Sequence, residues 1–526
     1  MITPPSPYRW RKTSCDSRHP AITPRKWLLC LLATVLLTAC SSPLDFTKEA
    51  SYAVPMDANT SLGGLAVDYM EHAPNEGTGF YPLNDGQEAL LARLALIHKA
   101  EKTIDLQYYI YRDDATSSLL TYALYLAAER GVRIRILLDD MQSRNDQAMA
   151  SLSSHPNIEL RLFNPFENRA MRMLGFVKDF DQSNRRMHNK SFIADSAFAI
   201  VGGRNIGDEY LAANNSVDFG DFDLMLLGKA VPDVSEQFDL YWNSSPASPV
   251  ESLIDEPTSI SQTDIAHWKE SLNRHFKNSD YVASFTNLPL VKALNEETLT
   301  FFWGSASVHY DLPSKVYNPA ETDLMLHALD QILTKAESSF FLVSPYFVPT
   351  QSGTDALVAA AQNGLNIIII TNSLASNDVF AVHGWYAKYR AQLLEAGIAL
   401  YEVKVDPKLK KKRSWLGSSR TSLHAKTFII DDQEIFVGSF NFDPRSAFIN
   451  TEMGVLVHSP EFIDAAFSEL DDNLQKSTYR LSLNEQGDIL WHNDFANITY
   501  DNEPDASVWL RLGAWLASIL PIENQL

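Results

Sequence analysis

Two stretches of this 526-residue chain repeat each other in step. The first is Met187-His188-Asn189-Lys190-Ser191-Phe192-Ile193-Ala194-Asp195, followed by Gly202-Gly203-Arg204-Asn205. The second is Leu423-His424-Ala425-Lys426-Thr427-Phe428-Ile429-Ile430-Asp431, followed by Gly438-Ser439-Phe440-Asn441. In both, Lys follows His by two residues, Asp follows Lys by five and Asn follows His by seventeen, on an apolar, strand-like background. The echo extends upstream. Lys99-Ala100-Glu101 and Lys335-Ala336-Glu337 each begin 89 residues before the His, and Ala127-Ala128-Glu129-Arg130-Gly131-Val132 is matched by Ala360-Ala361-Gln362-Asn363-Gly364-Leu365. The repeated unit is therefore a whole domain. Between the echoes, helical spacing over 88–101 and 117–130 alternates with strand-like runs over 103–111 and 132–138, which makes each copy an α/β layer structure.

Side chains at i and i+2 share one face of a strand. Each copy thus projects an imidazole beside an ammonium, with a carboxamide arriving from the next strand. Imidazole attacks phosphorus or passes a proton near neutral pH, Lys neutralises a phosphoryl oxygen and Asn donates to another. One copy has a nucleophile and no acid; two copies facing each other supply both.

The pattern H-x-K-x4-D with a following G-G/S-x-N resembles the signature of the phospholipase D superfamily. Further stretches, among them Gly79-Phe80-Tyr81-Pro82-Leu83, Gln107-Tyr108-Tyr109-Ile110, Gly202 through Tyr210 and Leu520-Pro521-Ile522-Glu523, are similar to its C-type cardiolipin synthase branch. The resemblance implies two pseudo-symmetric α/β/α domains with the active site at their interface, and a catalytic signature of His188, Lys190, Asp195, His424, Lys426 and Asp431. It implies His188 as nucleophile and His424 as general acid/base, although the repeat itself is symmetric at those positions. Asn205 and Asn441 are the phosphate-binding amides. Asp223 and Glu452, on the strand-like runs that follow, are the expected carboxylates that orient the histidines. Asp195 and Asp431 stand at odd spacing from their His and read as structural members of the signature. No metal and no cofactor is expected, because two Lys supply the positive charge. Asp139-Asp140 after a strand reads as a turn or cap pair rather than a metal site.

The N-terminus carries Arg9, Arg11, Lys12, Arg18, Arg25 and Lys26 against the single acid Asp16, then the apolar run Trp27–Leu37 and Leu37-Thr38-Ala39-Cys40-Ser41. The run is short for a bilayer-spanning helix and reads as a signal peptide with a bacterial lipobox, so Cys40 is the expected lipidation site. Ser41 beside it favours the outer membrane by family analogy. The expected layout is signal peptide 1–39, tether 40–76, first domain 77–250, connector 251–300, second domain 301–480 and C-terminal extension 481–526. Removing residues 1–39 takes away six basic residues and one acid, leaving 38 Lys and Arg against 64 Asp and Glu, a net −26. So acidic a body disfavours sequence-independent nucleic-acid binding, and no nucleic-acid partner is expected.

Basic, apolar segments lead into both signatures: Arg161, Arg169, Arg172, Lys178, Arg185 and Arg186 before the first, and Lys404, Lys408, Lys410–Lys412, Arg413 and Arg420 before the second. They read either as patches that steer the mouth onto anionic lipid or as solvated loops. The aromatics at 107–111 and 344–349 read as site-lining or core residues. Trp509 through Leu520 form an amphipathic helix that either docks on the domains or faces an interface. The expected activity is a membrane-anchored phosphatidyltransferase making cardiolipin from phosphatidylglycerol and a second phospholipid, phosphatidylethanolamine being the candidate second donor, through a phosphohistidine. The alternatives are a phospholipase D yielding phosphatidic acid, a phosphodiesterase or nuclease of the same superfamily, and an inactive lipid-binding scaffold. The expected location is the cell envelope, anchored to a membrane on its periplasmic side.

Overall fold

In the computed structural model the repeated sequence becomes two repeated sheets. The structure describes residues 48–526 except 72, 74–76, 143, 167–168, 170–171, 173–179, 214–219, 255–257, 297, 319–323, 406–422 and 468–469. The first half contributes β1 (Thr78–Leu83), β2 (Thr103–Tyr108), β3 (Arg133–Asp139), β4 (Ile158–Phe163), β5 (Ser191–Ala194), β6 (Phe198–Gly202), β7 (Asp223–Gly228) and β8 (Ala247–Pro249). The second contributes β9 (Phe302–Tyr310), β10 (Ser339–Val343), β11 (Asn366–Asn372), β12 (Ala399–Val403), β13 (Thr427–Ile430), β14 (Glu434–Gly438), β15 (Met453–His458) and β16 (Thr478–Leu483).

Strand order in the first sheet is β8-β4-β3-β2-β5-β6-β7-β1. In the second it is β16-β12-β11-β10-β13-β14-β15-β9, the same order with the same directions. The parallel trio of each half, β2-β3-β4 and β10-β11-β12, is joined by helical crossovers, as parallel neighbours require. Strand β9 is long enough to serve both sheets: Phe302–Gly304 pair with β1 and Ser305–Tyr310 with β15. Residues 46–526 accordingly form one compact unit. A central apolar cluster takes residues from both halves, among them Phe80, Val201 and Leu226 from the first and Val343, Val437 and Val455 from the second. Each half also has its own outer core beneath its helices.

The sequence echoes have local causes. Asp195-Ser196 and Asp431-Asp432 are consecutive positive-φ pairs. With Ala197 N–H bonded to Ala194 O, and Gln433 N–H to Ile430 O, they form tight hairpin turns of the type that suits twisted strands. The Asp195 carboxylate accepts the backbone N–H groups of Glu101, Lys102 and Thr103; Asp431 accepts those of Glu337, Ser338 and Ser339. The signature Asp thus ties its hairpin to the segment after the Lys-Ala-Glu echo. The second echo is a helix end. Gly131 (φ 95°) and Gly364 (φ 101°) follow the helices Ala115–Glu129 and Thr350–Gln362, and the N–H groups of Val132 and Leu365 close back onto Ala127 and Ala360.

Several expectations are corrected. Residues 48–71 of the expected tether are docked: Ser51 N–H bonds Asn243, Ala53 N–H bonds Asp239, and 61–71 are helical. Strands β17 (Ile489–Asn493) and β18 (Ile498–Tyr500) prolong the second sheet beyond β16, so the C-terminal extension is in part sheet. Four cations of the first basic segment, Arg161, Arg169, Arg172 and Arg186, are turned inward. Arg161 binds Glu159 and the Trp242 carbonyl, Arg169 and Arg172 bind Asp140 and Asp146, and Arg186 binds the carbonyls of Ser183 and Asn164. Lys404 bonds Asn493 and the Gln475 carbonyl. These side chains hold loops, while Arg185 is half-buried and bonds the Lys315 and Phe448 carbonyls; Lys178, Lys408, Lys410–Lys412, Arg413 and Arg420 lie outside the described residues, as do Cys40 and the signal segment. The helix Val508–Ser518 docks through small residues. Ala514 sits so close to the helix Phe380–Tyr386 that a Cβ at Gly384 would lie 2.2 Å from the Ala514 carbonyl oxygen. Its Trp509 and Trp515 remain 80% and 59% exposed. Among the described residues no helix is long and apolar enough to cross a membrane.

Candidate active site

His188 and Lys190 lie in the extended segment that runs into β5, and Asn205 lies three residues past the end of β6. His424, Lys426 and Asn441 occupy the same places on β13 and β14. All six side chains belong to buried residues. The two segments are held against the opposite half by matching parallel bridges, Met187 to Thr451 and Leu423 to Gly220. His188 N–H donates to the Thr451 carbonyl, and His424 N–H to the Gly220 carbonyl.

The residue after each bridge partner is a carboxylate, and it takes the histidine of the other half. His188 Nδ1 is 2.9 Å from Glu452 Oε2 and 3.1 Å from the Ser439 carbonyl oxygen. His424 Nδ1 is 2.5 Å from Asp221 Oδ2 and 2.9 Å from Lys426 Nζ. A carbonyl only accepts, so His188 carries its proton on Nδ1, and Nε2 is the nitrogen left with a lone pair.

Asp223 is not the orienting carboxylate. It bonds the Arg93 guanidinium at 2.9 Å, with Arg204 at 3.4 Å. Register explains the difference. Asp223 pairs with Gly202 as Gly454 pairs with Gly438, so the counterpart of Glu452 is Asp221, two residues earlier. Gly203 makes room for this arrangement: a Cβ there would lie 2.3 Å from Asp221 Oδ1 and 3.2 Å from Lys426 Cδ. Its counterpart, Ser439, uses its hydroxyl to donate to Glu452 at 2.5 Å.

Burial drives the electrostatics. It lowers Lys190 to about 7 and Lys426 to about 8, with Glu452 and Asp221 opposing that fall. It also holds His188 well below its ordinary value and brings His424 to about 4, each with help from the neighbouring ammonium groups. Glu452 is raised to about 7 by the same burial, against the pull of Lys190 and the Ser439 hydroxyl. Burial also works against the charge of Asp221, yet His424, Lys426 and Arg204 together hold it below the usual carboxylate range. The site therefore has ammonium groups whose charge an incoming phosphate would reinforce, and two imidazoles that are neutral before it arrives.

The amides are placed by local bonds. Asn205 Oδ1 accepts the Ile110 N–H at 3.0 Å; its Nδ2, near Tyr210, is buried with no geometric hydrogen bond. Asn441 N–H is held by Ser446 Oγ. Tyr109 packs edge-on to His188 at 5.0 Å and Tyr210 to His424 at 5.4 Å, so one of the singled-out aromatics lines the site while Tyr108 and Phe347 are core. Tyr210 was not singled out as a site residue by sequence reasoning, and of the positioning residues upstream of each His, Asp139 was read only as a turn or cap carboxylate and Asn372 was missed. Asp139 Oδ2 accepts the Met187 N–H, and Asn372 brackets Leu423 through both its N–H and carbonyl. Each ends the middle strand of a parallel trio, β3 or β11, a signal that strand order alone could have supplied. Asp140 is claimed by the Phe166 N–H and by Arg169. Elsewhere, His383, Glu402 and Glu503 cluster within ligand distance of one another, but the Arg390 guanidinium bridges the two carboxylates at 3.0 and 2.7 Å and fills the role a cation would have.

A family model described as "Cardiolipin synthase, PLD-like domain" matches the chain twice, over residues 94–242 and 329–474. The chain is 40% identical to "Cardiolipin synthase C" of Escherichia coli (strain K12) over 455 residues, which covers 85% of this chain and 95% of that one. It is 26% identical to "Cardiolipin synthase" of Oceanobacillus iheyensis, covering 79% of this chain and 72% of that one. A crystal structure of phosphatidylserine synthase from Haemophilus influenzae superposes with a TM-score of 0.53 at 14% identity, over 79% of this chain and 92% of that one, and so shares its fold.

Proposed function

The chain belongs to the phospholipase D-like family of the cardiolipin synthases, and from that premise we propose that it is a phosphatidyltransferase. It makes cardiolipin from phosphatidylglycerol and a second phospholipid. The observation that carries this reading is the convergence of two His/Lys/Asn sets in one buried site, each His held by a carboxylate of the other half. A single half has no such site.

In the first step His188 Nε2 attacks the donor phosphorus. The N–P bond forms, the P–O bond to the leaving alcohol breaks, and His424, which takes up a proton and becomes the imidazolium as the anionic phosphate enters beside it, gives that oxygen its proton. In the second step the acceptor hydroxyl loses its proton to His424 and attacks phosphorus, breaking the N–P bond and returning His188 to the neutral imidazole and His424 to the imidazolium. Lys190, Lys426, Asn205 and Asn441 hold the phosphoryl oxygens as charge builds on them. Asp221 supports the imidazolium that His424 becomes, and Glu452 fixes the tautomer that leaves His188 Nε2 able to attack.

The protein works at a bacterial membrane, where its substrates are. Lipidation at Cys40 anchors it on the periplasmic side, and Ser41 directs it to the outer membrane. Loss of lipid labelling in Cys40→Ala supports this anchor, and unchanged labelling removes it. The deciding experiment for the activity is mass spectrometry of lipids formed by the purified protein from phosphatidylglycerol with a head-group-labelled second phospholipid. Cardiolipin in excess is the expected product. Phosphatidic acid in excess, with phosphatidylglycerol abundant, replaces the transferase reading with a hydrolytic one.

A further inference from the structure

The duplication is broken in one layer. In the first half the helices Gly86–Lys99 and Ala115–Glu129 pack directly on each other. The connector helix Gln262–Phe276 then covers the second of them, with Trp268 edge-on to Tyr122 at 5.2 Å and bonded to Ser118 Oγ. In the second half the counterparts Leu324–Leu333 and Thr350–Gln362 line a cavity of about 580 Å³. One wall is Leu326, Leu329 and Leu333; the other is Gly353, Leu357 and Ala360.

The floor of this cavity is part of the active-site framework. It is formed by Phe440, Phe442 and Asp443, the residues on either side of Asn441. Asp443 is buried, caps the helix Pro444–Phe448 and lies close enough for its charge to act on Lys426. Phe448, at the rim, is 49% exposed. Polar side chains of the lining such as His327 and Asp330 belong to exposed residues. Apart from Asp443 in the floor, the buried part of the lining is mostly apolar and suits an apolar chain, and the volume is that of a small-molecule site.

We propose that the cavity is a subsite for one acyl chain of the phospholipid whose phosphate lies at Asn441 and Lys426. This rests on the phosphatidyltransferase reading. A glycerophospholipid that delivers its phosphate to buried histidines must lift part of a tail out of the bilayer. An apolar channel beside the phosphate site recovers that exposure, at about fourfold in affinity per methylene, equivalent to ~0.8 kcal/mol. The first half, whose layer is closed by direct helix packing and Trp268, has no need of a second such channel if only one lipid is extracted at a time.

The test uses the full-length protein with n-alkyl phosphates of increasing length, measured by calorimetry, and two variants that fill the cavity. A Cβ at Gly353 meets only Pro349 Cβ at 3.6 Å and Thr350 Oγ1 at 4.0 Å, so Gly353→Leu fits and gains helix propensity. Ala360→Leu fills from the other end of the same helix. In the unaltered protein affinity rises about fourfold per methylene over several carbons; in both variants the rise stops early. In turnover, long-chain phosphatidylglycerol loses tenfold or more in kcat/KM in the variants, and dihexanoyl phosphatidylglycerol loses nothing. Equal losses on short and long chains, or the same chain-length dependence in variant and parent, overturns the subsite. Chain-length-dependent binding with no lipid turnover on any donor removes the transferase reading and leaves the subsite standing.

Discussion

The two histidines share a motif, a depth of burial and a carboxylate on Nδ1, yet the carboxylates differ. Asp221 is surrounded by His424, Lys426 and Arg204 and stays ionised. Glu452 has His188, the Ser439 hydroxyl and Lys190 beside it, yet burial outweighs them and raises it to about 7. Burial acts on both carboxylates, and two positions of the repeated motif bear on the contrast: Arg204, which lowers Asp221, is matched by the uncharged Phe440 in the second copy. Where the first copy has Gly203, whose missing side chain admits Asp221 and Lys426, the second has Ser439, whose hydroxyl bonds Glu452 and limits its rise without reversing it. Symmetric sequence thus yields an asymmetric pair, and groups whose environments push them apart are suited to separate roles. An always-ionised partner suits the ring that must become an imidazolium, His424. A partner that is half-protonated near neutrality suits the ring that attacks as a neutral base, His188.

The largest test of the contrast removes each ring. His188→Ala and His424→Ala should each lower turnover by about 10⁴-fold, since nucleophile and acid act as a unit. They should differ in what accumulates. With a donor carrying a good leaving group, His424→Ala traps phosphohistidine at His188, detectable by intact-protein mass spectrometry, and His188→Ala traps none. Trapping in the opposite variant would exchange the two roles.

Next in size is the contrast between Asp223 and Asp221, two residues apart. Arg93→Ala leaves Asp223 buried beside Arg204 with its 2.9 Å partner gone and should cost about 3–5 kcal/mol of stability, read from denaturant midpoints. Asp221→Asn should lower turnover about 10²-fold and also lose stability at neutral pH, because it removes the charge that His424, Lys426 and Arg204 hold ionised. Glu452→Gln, which resembles the protonated carboxyl already present in part, should lose only about tenfold. Equal losses in Asp221→Asn and Glu452→Gln would mean that the differing environments have no catalytic consequence.

The catalytic set was legible because it is written twice. The spacing of His, Lys and Asn survives folding since all three ride on β5–β6 and β13–β14, hairpins that Asp195 and Asp431 pin at their turns. The crossing of carboxylates between halves was not legible. It depends on the bridges from Met187 to Thr451 and from Leu423 to Gly220, contacts between residues more than 200 positions apart. Asp221 and Asp223 flank Phe222 and share a face, so spacing cannot choose between them; Arg93, from a distant helix, makes the choice by claiming Asp223. The same holds for the basic segment before the first motif. Its composition left a lipid-facing patch and a solvated loop both open, and neither describes Arg169 and Arg172, which Asp140 and Asp146 draw inward. The opened helical layer of the second half had no sequence signal, because it reflects where the connector Gln262–Phe276 chose to pack.

The smallest expected effect bears most directly on why the copies differ. Ser439 Oγ donates to Glu452 and favours its charged form. Ser439→Ala removes that bond, so the carboxyl rises further above about 7. If the ionised carboxylate supports His188 in the phosphohistidine, activity falls as pH drops through that value, and the acid limb of the kcat profile should move to higher pH in the variant. The loss should be several-fold at pH 7 and nearly absent at pH 9, the scale of one hydrogen bond to a charged group. The stability sign is separate and runs the other way. Folded Glu452 holds a proton that the unfolded chain, near 4.5, has released. Its contribution is therefore fullest below about 4.5 and is lost as pH rises through about 7. Ser439→Ala should carry that loss to higher pH as well. A kcat profile unmoved by Ser439→Ala, together with a shifted stability profile, would show that Glu452 only holds the ring in place and that its charge plays no part in turnover.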